Sequence, residues 1–161
     1  MIQLHCRWQN RQLPPPKKSE LRRFADAAAR AAGLPSEPVW DLNLLFVNDT
    51  AMAKYNEELV GHTGTTDVIT FSYFDDCSEY EENDTMIELI INPDAAVREG
   101  EKRPGGYAWE MALYLVHGLL HSAGEDDLSP GPRRRMRRRE QECLEILQQQ
   151  FDFNALFKLE R

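Results

Sequence analysis

No apolar run in this chain is long enough to cross a bilayer. The longest largely apolar stretch, Met111 to Leu120, is about half of the ~20 residues that a membrane helix needs. The N-terminus, MIQLHCRWQNRQ, meets polar residues by position 3 and lacks the apolar core of a secretory leader. A cytoplasmic protein with no membrane partner is therefore expected. Cysteine is scarce: Cys6, Cys77 and Cys143 are odd in number, far apart and form no CxxC pair, which excludes a disulfide framework. Self-similarity at periods of 20–50 residues is missing too, so a solenoid or propeller is excluded. A net positive charge is also lacking. The formal value of −8 argues against a protein that coats nucleic acid over its whole surface.

What remains is an ordinary globular balance, with 42% hydrophobic and 29% charged residues in 161. That length suits one domain spanning residues 1–161. The charge is unevenly spread. Residues 75–88 hold seven acids and no base, whereas residues 133–139 (RRRMRRR) hold six arginines in seven positions.

Alternation of Ile2, Leu4, Cys6 and Trp8 with polar residues predicts a half-buried strand, ended by Pro14-Pro15-Pro16. Ser19 is the expected cap of a helix to about Ala32, with Leu21, Phe24, Ala28 and Ala31 on one face and Gly33 as its stop. Trp40–Val47 reads as a strand, and Asn48-Asp49-Thr50 caps a helix across Met52, Tyr55, Asn56 and Leu59. Gly61 to Gly64 is a flexible connection. Asp67–Tyr73 and Met86–Ile91 read as strands with an acidic loop between them, and Pro93 opens a short helix. Tyr107–Ser122 has an apolar period near 3.6 and predicts a largely buried helix that Gly124 can stop. Pro130-Gly131-Pro132 is expected to break the chain before a last helix with Met136, Cys143, Leu147 and Phe151 facing inward. The layout is α+β: a small mixed four-stranded sheet packed with helices, one of them central and metal-bearing.

The chemistry concentrates in that central helix. His117 and His121 are four residues apart, so their imidazoles share a face and can converge on one metal ion. Gly124 permits a turn that returns Asp127 as a third ligand, giving HxxxHxxGxxD. Three protein ligands and a water form the open arrangement of a catalytic zinc site rather than a closed structural one. One Zn²⁺ on His117, His121 and Asp127 is the expectation. Position 118 is glycine, so the general-base glutamate of HExxH peptidases is missing and metalloproteolysis is excluded.

His117-Gly118-x-Leu120-His121-x-x-Gly124 resembles the helix motif of the YbeY family of rRNA maturation endoribonucleases. Thr66-Asp67-Val68-Ile69-Thr70-Phe71 resembles that family's TDVLSF segment, and Asn56 and Ile87-Glu88-Leu89-Ile90-Ile91 fall in the matching order. The resemblance covers roughly residues 40–130. It implies a cytoplasmic, zinc-dependent endoribonuclease, selective for single strands, acting in 16S rRNA 3′-end maturation and ribosome quality control. The implied partners are rRNA or other single-stranded RNA and the small ribosomal subunit or its assembly factors. Two positions depart from the family: its third histidine aligns with Asp127, and its arginine four residues after the helix asparagine aligns with Val60. His62, two residues on, is the substitute candidate for that basic group.

The arginine cluster follows the metal loop within about six residues, and cations at a helix start oppose the macrodipole. Arg133, Arg134, Arg135 and Arg137 are therefore candidates for RNA phosphate contacts. The competing expectation is a solvated helix start with Arg138–Glu142 and Arg137–Glu140 pairs. Glu125, Asp126 and His62 are the candidate catalytic groups. Two other functions stay open: a non-catalytic rRNA-binding assembly factor, and a small-molecule metallohydrolase.

Overall fold

A computed structural model describes residues 2–72 and 85–160. Tyr73 and most of the expected acidic loop lie outside the described residues.

Four strands form one mixed sheet: β1 (Ile2–Trp8), β2 (Trp40–Phe46), β3 (Val68–Ser72) and β4 (Met86–Ile91). Their spatial order is β1-β2-β4-β3. β1 pairs parallel with β2, and β2 parallel with β4, while β3 runs antiparallel to β4 with Val68 opposite Ile91. Parallel neighbours need long crossovers, and α1 (Lys18–Ala32) supplies the one between β1 and β2. The remaining helices are α2 (Asp49–Tyr55), α3 (Pro93–Lys102), α4 (Gly106–Ser122), α5 (Pro130–Gln148) and α6 (Phe153–Leu156). No helix among the described residues is long and apolar enough to cross a membrane.

Period-two patterning sets the buried face of the sheet. Leu4, Leu42, Leu44, Phe46, Ile87, Leu89 and Ile91 join α1, α4 and α5 in the main core. The opposite face is covered by a smaller cluster of Val47, Met52, Ile69 and Ile90. α4 is the central element, touching α1, α3, α5, α6, β3 and β4. Its approach to the sheet depends on Gly118, where a Cβ would sit 2.6 Å from Leu89 Cδ2 and 3.2 Å from Thr70 Oγ1.

Three local expectations are corrected. Ser19 is not the cap of α1. Lys17 holds that position, and its carbonyl accepts the first helical bond, from Leu21 N–H at 2.9 Å. Pro130 and Pro132 do not break the chain but form the first turn of α5, where a missing N–H costs nothing. Phe151 lies beyond the end of α5, though its ring meets Phe24 edge-on at 5.4 Å. The helix begun by Asn48, whose side chain accepts from Ala51 N–H, runs on as a π-helical turn over Asn56–Val60. The buried Asn56 stabilises this turn by donating from Nδ2 to Gly64 O at 2.9 Å.

Candidate metal centre and its clefts

Helix α4 presents His117 and His121 on one face, as the four-residue spacing dictates, with ring centroids 4.6 Å apart. The helix stops at Gly124, whose φ of +105° suits glycine. There Glu125 N–H bonds Leu120 O and Gly124 N–H bonds His121 O, the paired bonds of a Schellman stop. The chain reversed in this way brings Asp127 Oδ2 to 3.6 Å from His117 Nε2 and 3.4 Å from His121 Nε2. The two Nε2 atoms are 3.1 Å apart. Among the described residues these three form the group that could hold a metal ion.

The far side of each ring shows why a cation fits. His117 Nδ1 lies 3.1 Å from Glu140 Oε1, and His121 Nδ1 lies 3.0 Å from Glu125 O. A carbonyl can only accept, and so can an ionised carboxylate, so both Nδ1 atoms carry the hydrogen in the neutral rings. Both Nε2 lone pairs then face each other and the Asp127 carboxylate. That arrangement is repulsive unless positive charge lies between them. Tetrahedral zinc with ligand bonds of about 2.0–2.2 Å sets its donors roughly 3.3 Å apart, close to the three separations here. The field agrees: burial pulls the His117 pKa down, but the hydrogen bond and charge of Glu140, then Asp67 and Asp127, outweigh it and leave it raised.

Two clefts meet at this centre. One, of about 740 Å³, is lined by Asn56, Val60, His62, the segment from Thr66 to Phe71, His117, His121, Asp127 and Leu128. The other, of about 510 Å³, shares Thr66, Asp67, Val68 and His117 with it. The rim between them is fixed by Asn92, fully buried, whose Nδ2 donates to Asp49 Oδ1, Thr65 Oγ1 and Thr66 O.

The other sequence candidates divide. His62 is exposed and lines the larger cleft. Glu125 and Asp126 line neither cleft; the Glu125 carboxylate is 3.4 Å from Arg135, and Asp126 Oδ1 accepts from Leu128 N–H. Arg133 donates to Asp127 O at 3.3 Å, directly behind the ligand set. The expected Arg138–Glu142 and Arg137–Glu140 pairs do not form. Arg139 takes Glu142 at 2.7 Å, and Glu140 turns inward to His117. Among the described residues no acid pairs with Arg134 or Arg137, both exposed. Glu140 is the site residue that sequence reasoning missed. Its signal was an acid in register with Met136, Cys143 and Leu147, on the inward stripe of α5.

The profile of the family described as Endoribonuclease YbeY matches residues 3–148. This chain belongs to that family. An Endoribonuclease YbeY of Parabacteroides distasonis is 30% identical over 136 residues, covering 84% of this chain and 89% of the relative. That of Rhodopirellula baltica is 33% identical over 132 residues, 81% of this chain but 64% of the relative's length. A solution structure of a Thermotoga maritima protein shares the fold, with a TM-score of 0.56 at 18% identity over 92% of this chain and 93% of that one. Membership supports an endoribonuclease role.

Proposed function

We propose that this chain is a zinc-dependent endoribonuclease, selective for single strands, acting in the cytoplasm on the 3′ end of 16S rRNA and in ribosome quality control. Its partners on this reading are rRNA and the small subunit or its assembly factors. The observation that carries it is the convergence of two imidazole Nε2 atoms and one carboxylate oxygen where two clefts meet.

His117, His121 and Asp127 would hold the ion, which when bound would supply a Lewis acid for the phosphoryl oxygen and a water whose pKa is lowered toward about 7. Glu140 and the Glu125 carbonyl hold both imidazoles in the tautomer that leaves Nε2 free. The attacking water loses its proton to a group facing the larger cleft, where Asp67 and His62 are the acceptors available. The new P–O bond forms as the bond to the leaving ribose oxygen breaks. Arg134 and Arg137, with no acidic partner among the described residues, and Arg133 and Arg135 beside the loop steady the RNA backbone.

The test is cleavage of a single-stranded RNA carrying the 16S 3′ precursor end, with bound zinc measured on the same preparation. Stoichiometric zinc and cleavage, both lost in His121→Ala, are expected. Equal cleavage by wild type and His121→Ala would mark a contaminant. It would favour the second reading, a non-catalytic rRNA-binding assembly factor, which the exposed apolar Val60 in the cleft wall supports.

A further inference from the structure

β3 is the last strand of the sheet, bonded to β4 on one side and to no described strand on the other. Such an edge presents the N–H and C=O groups of every second residue to whatever lies beside it. Asn92 N–H donates to Asp67 O at 2.8 Å, and Asp67 stands opposite Asn92 in the register that pairs Val68 with Ile91. That bond fixes the phase. Ile69 and Phe71 turn their backbone groups to β4, so those of Val68 and Thr70 point to the free edge. The neighbouring strand agrees, because Ile91 O turns away from β3 and accepts from Val47 N–H at 2.9 Å. Val68 N–H is taken by Asp67 Oδ1 at 2.7 Å. Val68 O, Thr70 N–H and Thr70 O are the groups the edge offers.

The larger cleft runs along this edge. It meets every residue from Thr66 to Phe71 in succession, whereas a cleft over one face of a strand would meet alternate residues. Its lining also includes His117, His121 and Asp127, so a chain laid along β3 passes the candidate metal centre.

We propose that the free edge of β3 is the track for the ribose–phosphate backbone of the RNA, with Thr70 N–H donating to a phosphate oxygen and the Val68 and Thr70 carbonyls accepting from ribose 2′-hydroxyls. The proposal rests on the ribonuclease reading above and gives it a source of selectivity for RNA over DNA. A carbonyl only accepts, and along a sugar–phosphate chain the 2′-hydroxyl is the group that donates. DNA lacks that hydroxyl and leaves both carbonyls without a partner. Like groups recur along the edge about every 6.6 Å, a step that one extended nucleotide spans. The backbone N–H also serves a phosphate in a wall where Val60 stands in place of the family's arginine.

Amide hydrogen exchange read by NMR on the whole chain, freed of zinc so that no turnover intrudes, tests this. Thr70 N–H is expected to exchange faster than Ile69 N–H in the free protein and to slow about tenfold when an unstructured RNA octamer is added. In fluorescence anisotropy the octamer should bind about tenfold more tightly than its DNA and 2′-fluoro counterparts, the latter keeping the RNA sugar shape without the donor. Thr70→Pro removes an N–H that serves no ladder bond, so the variant should melt near wild type. It should bind the RNA and DNA probes about tenfold more weakly alike, because both carry the phosphate. RNA bound with Thr70 still exchanging freely would overturn the track, and slowing of Thr70 by a threonine–valine octapeptide in its place would assign the edge to a protein partner. A 2′-fluoro probe that binds as RNA does would overturn the carbonyl contacts. A wild-type protein that binds no RNA would overturn the ribonuclease reading, and the track with it.

Discussion

Glu140, on the arginine-rich α5, lies 3.1 Å from Nδ1 of His117 on α4, so the helix that carries the cations also orients a candidate metal ligand. Carboxylates behind ligating histidines typically contribute about 10–100-fold in metal affinity. Glu140→Gln should therefore weaken zinc binding by about that factor in a chelator competition, with circular dichroism unchanged. An unchanged affinity would remove Glu140 from the metal site.

Asp127 is the anionic member of the three. Asp127→Asn keeps the volume and loses the charge, so zinc should be held more weakly than in wild type. Asp127→His replaces the carboxylate with an imidazole and should retain the ion. Metal content after dialysis separates them, and equal zinc in Asp127→Ala and wild type would show that the turn at Gly124 delivers no ligand.

Gly118 lets α4 lie against β4. Gly118→Ala gains about 1 kcal/mol of helix propensity, but it drives a methyl toward Leu89, which is fully buried. Overpacking of this kind costs about 1–3 kcal/mol, so a net loss of stability is expected from urea unfolding. The same shift displaces His117, and zinc affinity should fall with it. A more stable variant with full zinc affinity would contradict the close approach.

The Arg98 guanidinium bonds Asp49 and holds its carboxyl below the ordinary range, against the cost of burial and with help from Asn92 and Thr65. The folded pKa is thus lower than the unfolded value of about 3.9. The stabilisation is present above that value and is lost as pH falls through the folded pKa. Asp49→Asn should flatten the acid limb of a stability–pH profile below about pH 4. An unaltered limb would assign acid sensitivity to other carboxyls.

Phosphate contacts by arginine carry a salt signature. If Arg134 and Arg137 each neutralise one phosphate, each alanine variant should reduce the slope of log affinity against log salt by about 0.7. Arg138→Ala, exposed on the same helix, is the comparison. Equal slopes in all variants would return the cluster to a solvated helix start.

Local patterns in the chain determined most of the elements. Alternation gave β1 and apolar content gave β2, and the Asn48 and Pro93 signals placed the starts of α2 and α3. Spacing of four on a helix put His117 and His121 together, and Gly124 made the return of Asp127 possible. These follow from 3.6 and 2.0 periodicities and from glycine's access to positive φ, all of which operate within a few residues. Tertiary packing decided the rest. Glu140 is 23 residues from His117, and only the seating of α5 on α4 brings them together, overriding the local pairing with Arg137. The sheet order that sets β4 between β2 and β3 places Thr66–Val68 beside His117, which joins two clefts at the metal centre. Side-chain spacing along one helix names the candidate ligands, but their orientation depends on atoms far away in the chain.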